Sequence, residues 1–201
     1  MPKSSNPPLR PAQPADADAI TRLINSAFQV ESFFKRGDRL DLAEVQARFA
    51  KGRFILAEEN GVIIGCVYVE PGAKRAHTGA KRAHTGAERA YTGAEPAHTD
   101  AEPAYTGAEP AHTGAERAYI GLLSVEPSLQ GSGLGKRLMT AAEEYCRAAG
   151  CAFADLRVVN LRTELPLFYR KLGYQQTGTE PFPTEAHTEV PCHFLIMSKS
   201  L

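Results

Sequence analysis

The chain has no surplus of either charge: 23 basic residues balance 23 acidic ones over 201 residues, with an isoelectric point near 7.0. That balance leaves no electrostatic footprint for nucleic acid or an anionic membrane as an obligatory partner. Long hydrophobic runs are missing too. The apolar stretches fall far short of the roughly 20 residues that a membrane helix requires, so no transmembrane segment is expected. Residues 1–8 are polar and proline-rich, without the apolar region of a signal peptide, and read as a frayed tail. Cysteine is sparse and unpatterned: Cys66, Cys146, Cys151 and Cys192 show neither CxxC nor zinc-finger spacing. They read as reduced thiols of a cytoplasmic protein, packed as small hydrophobes.

What is present, first, is a repeat. From Gly72 to Ile120 the chain runs through seven tandem copies of a seven-residue unit, the first ending in Thr78 and the last spanning Gly114 to Ile120. Its sixth position holds His77, His84, His98 and His112 or Tyr91, Tyr105 and Tyr119. A period of seven suggests a coiled coil, and physics argues against one. Six copies begin with glycine, at about 1 kcal/mol each in a helix, and Pro96, Pro103 and Pro110 would each cost about 3 kcal/mol. Alanines at the seam would bury little surface. An odd period also flips a strand's faces from copy to copy, and units this short cannot build a solenoid core. The segment 72–117 therefore reads as a disordered or extended insertion between two strands. Its histidines have no fixed carboxylate or thiol beside them, so no metal site is expected. One compact domain over 1–201 is the expectation, with that insertion inside it.

On either side of the repeat the pattern alternates. Leu9 to Ala12 reads as a short strand, and Asp16 or Asp18 as the cap of a helix burying Ile20, Leu23, Ile24, Ala27 and Phe28. Asp41 caps a second helix carrying Leu42, Val45 and Phe49, which ends at Gly52. Phe54 to Glu58 and Val62 to Val69 form a hairpin about Asn60-Gly61, and Tyr119 to Val125 is the next strand. Next comes Gln130-Gly-Ser-Gly-Leu-Gly135, a glycine-rich turn opening a helix with Leu134, Leu138, Ala142, Tyr145 and Ala149 on one face. A strand over Phe153 to Val159, a helix over Glu164 to Leu172 capped by Thr163, and strands over Tyr174 to Thr179 and Cys192 to Ser198 complete the series. Hairpin first and strand-helix-strand second predict a mixed, mostly antiparallel α/β sheet with helices on both faces.

The strand, glycine turn and helix start make a ready anion site. The first helical amides lack intrahelical partners, the helix dipole favours negative charge there, and glycines clear a path for phosphate. Leu123 to Arg137 (LSVEPSLQGSGLGKR) and Leu167 to Tyr174 (LFYRKLGY) together resemble the GNAT superfamily of acetyl-CoA-dependent N-acetyltransferases. The first contains a Gln/Arg-x-x-Gly-x-Gly/Ala motif and the second a Phe-Tyr-x-x-x-Gly-Phe/Tyr segment, with a strand and Asn160 between them. The order of elements fits from Leu9 to Met197, with only the repeat outside it. The resemblance implies a GNAT-like fold and acetyl-CoA as co-substrate. Gln130, Gly131, Gly133, Leu134 and Gly135 would hold its pyrophosphate, with Lys136 or Arg137 neutralising charge. Leu123 and Val125 would pair with pantetheine, one amide serving as a partial oxyanion hole, and Asn160 would either bond the same arm or form a strand-end Asx turn. Tyr169 would protonate the leaving thiolate.

The resemblance is incomplete at the base. Many family members place a glutamate on the strand before the glycine motif; here that position is Tyr119. Glu58, Glu70, Glu126 and His193 are the alternatives, and none is singled out. An acceptor pocket of the family's kind would draw on Phe33, Phe34, Lys35, Arg36, Arg39, Phe182 and His193. The resemblance implies a small-molecule or peptide amine as acceptor, and a monomer or homodimer is expected. A rival reading is a non-catalytic acyl-CoA-binding or interaction protein that displays the repeat.

Overall fold

In the computed structural model the described residues are 6–72, 116–183 and 188–201. The repeat expected to be an unstructured insertion lies outside them, apart from its two ends. So does most of the expected tail; of its last residues, Pro7 accepts a hydrogen bond from Arg137 at 2.9 Å and Pro8 one from the Glu58 amide at 3.2 Å.

Among the described residues seven strands form one sheet: β1 (Leu9–Pro11), β2 (Arg53–Glu59), β3 (Val62–Pro71), β4 (Arg117–Val125), β5 (Phe153–Val159), β6 (Gln175–Pro181) and β7 (His193–Ser200). Their spatial order is β1-β2-β3-β4-β5-β7-β6. Every neighbouring pair is antiparallel except β4 with β5. The β2–β3 hairpin turns at Asn60-Gly61, both at positive φ, as the sequence predicts.

Among the described residues four α-helices cover the two faces. α1 (Ala17–Phe28) and α2 (Leu42–Phe49) lie on one, and α3 (Leu134–Ala148) and α4 (Glu164–Lys171) on the other. Helical spacing explains α1, which buries Ala17, Ile20, Leu23 and Ile24 against Phe54, Leu56, Cys66 and Tyr68. On α3, Leu134, Leu138, Ala142 and Cys146 recur every fourth residue and are buried against β2, β3 and β4. Burying a leucine such as the fully enclosed Leu138 contributes about 2 kcal/mol. Glu143 is also buried on this helix, and Lys199 closes it at 2.6 Å. Among the described residues no helix is long and apolar enough to cross a membrane.

Capping separates the aspartates. Asp41 accepts from the Glu44 amide at 2.8 Å while the Glu44 carboxylate accepts from the Asp41 amide at 2.9 Å, a capping box that starts α2. Asp16 stands at the α1 cap position without bonding the helix. Arg10 takes both its oxygens, at 2.7 and 2.9 Å, and holds its carboxyl below the usual range. Thr163 likewise stands at the start of α4 with no capping bond, because its own backbone is already helical.

Three irregularities reset the sheet's alternation, one of them between β6 and β7 at Gln176/Gly178. Between β2 and β3 the register slips at Ala57/Glu58, and between β3 and β4 at Cys66/Tyr68. Between β3 and β4, β4 carries one extra residue, and Leu122 has φ of 51°, a left-handed conformation that is strained for leucine. Its carbonyl is held by the Ser124 hydroxyl at 3.2 Å and approached by the Cys66 thiol at 3.8 Å. The slip turns Leu123 and Val125 to the same face as Ile120.

Candidate active site

The parallel pair β4–β5 stays together for only three residues on each side, Arg117 to Tyr119 against Phe153 to Asp155. Beyond Tyr119 the strands part. β5 continues with β7 as its partner, while the β5-facing edge of β4 opens into a cleft. The bulge at Leu122 lies within this opened stretch, where it re-aims the backbone. The cleft has a volume of about 570 Å³ and is lined by β4 from Tyr119 to Leu123 and Val125, and by β5 from Leu156 to Val159. Its walls are completed by the glycine turn, α4 and the α1–α2 connection.

The turn after β4 presents backbone rather than side chains. Gly131 and Gly133 have φ of 81° and 88°, values that exclude most L side chains, and a Cβ at either would meet nothing within 4 Å. The first helical hydrogen bond of α3 runs from the Arg137 amide to the Gly133 carbonyl, at 3.2 Å. The amides of Leu134, Gly135 and Lys136 precede it and are free of intrahelical partners; that of Leu134 makes a long 3.4 Å contact to the Ser132 hydroxyl. An open turn, free amides and the positive end of a fifteen-residue helix suit a bound phosphate. Gln130, Gly131, Gly133, Gly135 and Lys136 all line the cleft. Leu134 contributes its amide while its side chain is buried in the core. Arg137 turns away to Pro7.

Tyr169, on the inner face of α4, lines the same cleft and is packed by Phe168 and Tyr174 at ring distances of 5.1 and 5.9 Å. Burial, then the neighbouring Tyr119, push its phenol above the ordinary tyrosine value of 10.0. It therefore keeps its proton at neutral pH. Tyr119 also lines the cleft, with Arg157 over its ring at 5.7 Å. It folds back across Gly121, where any Cβ would overlap its hydroxyl.

The carboxylates considered from sequence lie elsewhere. Glu58 pairs with Arg10, Glu70 accepts from Tyr68 at 2.9 Å, and Glu126 borders a different pocket beside Arg10. His193 opens β7, and its amide donates to the Asn160 side chain at 2.9 Å while its carbonyl accepts from the Asn160 amide at 3.0 Å. Asn160 thus ties β5 to β7 and is not among the residues lining the cleft. Of the basic and aromatic residues expected around an acceptor, Arg39 lines the cleft. Phe34 is fully buried between Phe33 and Phe182, Lys35 donates to the Asp38 carbonyl at 2.7 Å, and Arg36 pairs with Glu189.

The residue that sequence reasoning missed is Glu31. It follows α1, is only 5% exposed, and lines the cleft with Glu164 as the other carboxylate there. Burial raises its pKa above the ordinary glutamate value, against the lowering pull of Arg39, Arg162 and Lys35. Among the described residues no cluster of three His, Cys, Asp or Glu forms a metal site; the repeat's histidines lie outside them.

Comparison with known proteins gives the family. The model of the Acetyltransferase (GNAT) family matches residues 17–174. The chain belongs to that family. Among the curated proteins, none matches the sequence. Solved structures share the GNAT fold at low identity. Smu.2055 of Streptococcus mutans UA159 has a TM-score of 0.64 at 14% identity, covering 96% of this chain and 98% of that one. YncA of Salmonella typhimurium, solved with acetyl-CoA, has 0.62 at 20%, covering 98% and 95%. The ribosomal-protein-alanine N-acetyltransferase of Brucella melitensis has 0.59 at 16%, covering 96% and 99%. The two GNAT motifs read from the sequence both fall within or end at the edge of the matched span.

Proposed function

We propose that this GNAT protein is an N-acetyltransferase that moves the acetyl group of acetyl-CoA to a small-molecule or peptide amine by direct attack on the thioester. The observation that carries the reading is a proton-holding phenol, Tyr169, in one cleft with an unpaired strand edge and a glycine turn with free amides. The yncA structure, solved with acetyl-CoA on a similar fold, supports the choice of donor.

In this reading the amides of Gly131, Gly133, Leu134, Gly135 and Lys136 receive the pyrophosphate, and Lys136 adds a neutralising charge. The β4 edge at Leu123 and Val125 bonds the pantetheine amides as a further strand would, and one amide there polarises the thioester carbonyl. Tyr169 donates its proton to the departing sulfur, a role worth about 10²- to 10⁴-fold in rate. Asn160 enters only as the clamp that holds the end of β5 against β7.

The test is turnover of acetyl-CoA with a panel of amines, followed as free thiol and as acetylated product by mass. Thiol release matched by product is expected with at least one amine. Tight acetyl-CoA binding without product from any amine would instead favour a non-catalytic acyl-CoA-binding protein.

A further inference from the structure

We propose that Glu31 is the proton acceptor for the incoming amine, the role left open by Tyr119 at the usual glutamate position; this rests on the acetyltransferase reading. Four observations converge on it. The side chain is nineteen-twentieths buried and lines the cleft that also holds Tyr169. One carboxylate oxygen, Oε1, accepts from Arg162 at 3.2 Å, whereas Oε2 is buried with no hydrogen-bond partner among the described residues. A buried carboxylate oxygen left without a donor is costly, because nothing replaces the water it has lost. An ammonium group arriving in the cleft supplies the missing donor. Finally, Arg162 holds Glu31 from the β5–α4 turn and also acts electrostatically on Tyr169, so one guanidinium serves the carboxylate and the phenol.

Its surroundings tune the group for the task. Arg39 and Lys35 from the α1–α2 connection and Arg162 from the far side face Glu31, with Glu164 sharing Arg162 at 2.6 Å. Desolvation outweighs these cations and leaves the carboxylate a stronger base than a solvated glutamate. The protons balance as follows. The bound ammonium gives one proton to Glu31 Oε2, and the free amine nitrogen bonds to the thioester carbon. The carbon–sulfur bond then breaks, Tyr169 protonates the thiolate, and the second nitrogen proton returns through water to the Tyr169 phenolate. Glu31 releases its proton to solvent, so one proton leaves per amide formed.

Glu31→Gln tests the assignment by a signature that a merely structural residue would not produce. At pH 7 turnover is expected to fall by about 10²-fold. The deficit should shrink about tenfold for each pH unit toward the amine's own pKa, because the variant uses only amine that is already neutral. Acetyl-CoA affinity should stay within about threefold by calorimetry. The melting temperature at pH 7 should not drop: a carboxyl whose folded pKa is raised loses stability as pH rises through that pKa, and glutamine carries no such penalty. A deficit constant across pH, one under about threefold, or a variant that fails to fold overturns the role of Glu31. A wild-type protein that acetylates no amine overturns instead the acetyltransferase reading on which it rests.

Discussion

At the residue scale, two groups with opposite protonation needs share one cleft, and burial serves both. Burial raises the Tyr169 phenol, which keeps it an acid, and it raises the Glu31 carboxyl, which makes it a better base. Tyr169→Phe keeps the ring and its packing on Phe168 and Tyr174 while removing the donor. It is expected to lower kcat by about 10²-fold, with acetyl-CoA affinity unchanged by calorimetry; parallel loss of both would deny it the acid role. Tyr169 was legible in the sequence because it sits in a recognisable local segment. Glu31 was not. In sequence it is one more acid among Gln29, Val30 and Ser32, and its burial depends on Arg162, 131 residues away. A side chain enclosed by such distant partners leaves no local pattern.

At the element scale, the cleft is a consequence of strands that stop pairing. Periodicity sufficed for the helices and for the strands that bury alternate residues, since those patterns are local. The bulge in β4 has a weaker trace, a lone glycine inside an apolar strand at Gly121, which also marks the close approach of Tyr119. The capping aspartates show the limit of motif reading: Asp16 and Asp41 both precede helices, and only the one without an arginine neighbour caps its helix. The turn into α3 gives the sharpest prediction at this scale. Gly133→Val forces a β-branched residue to a φ of 88°, at about 1–2 kcal/mol, and puts side-chain atoms into the open space proposed for phosphate. Acetyl-CoA affinity should fall at least about 100-fold by calorimetry, with helix content by circular dichroism retained. Unchanged affinity would place the phosphate elsewhere.

At the scale of the whole molecule, the sheet brings together the two ends of the repeat. Pro71 on β3 pairs with Ala118 on β4, so these two positions lie side by side. The cost of closing a loop grows only logarithmically with its length, so removal of Gly72 to Thr113 is expected to leave a folded protein with a short link between the paired strands. The central claim, that this cleft seats acetyl-CoA along β4 and at the glycine turn, is tested most directly by titrating acetyl-CoA into ¹⁵N-labelled protein. The measurement is made on the full chain and on the chain lacking Gly72 to Thr113. In both, the amide signals of Gly131, Gly133, Gly135, Leu123 and Val125 should shift together and saturate at the same ligand concentration. Shifts absent from these amides, or present in the full chain and lost on excision, would contradict the account.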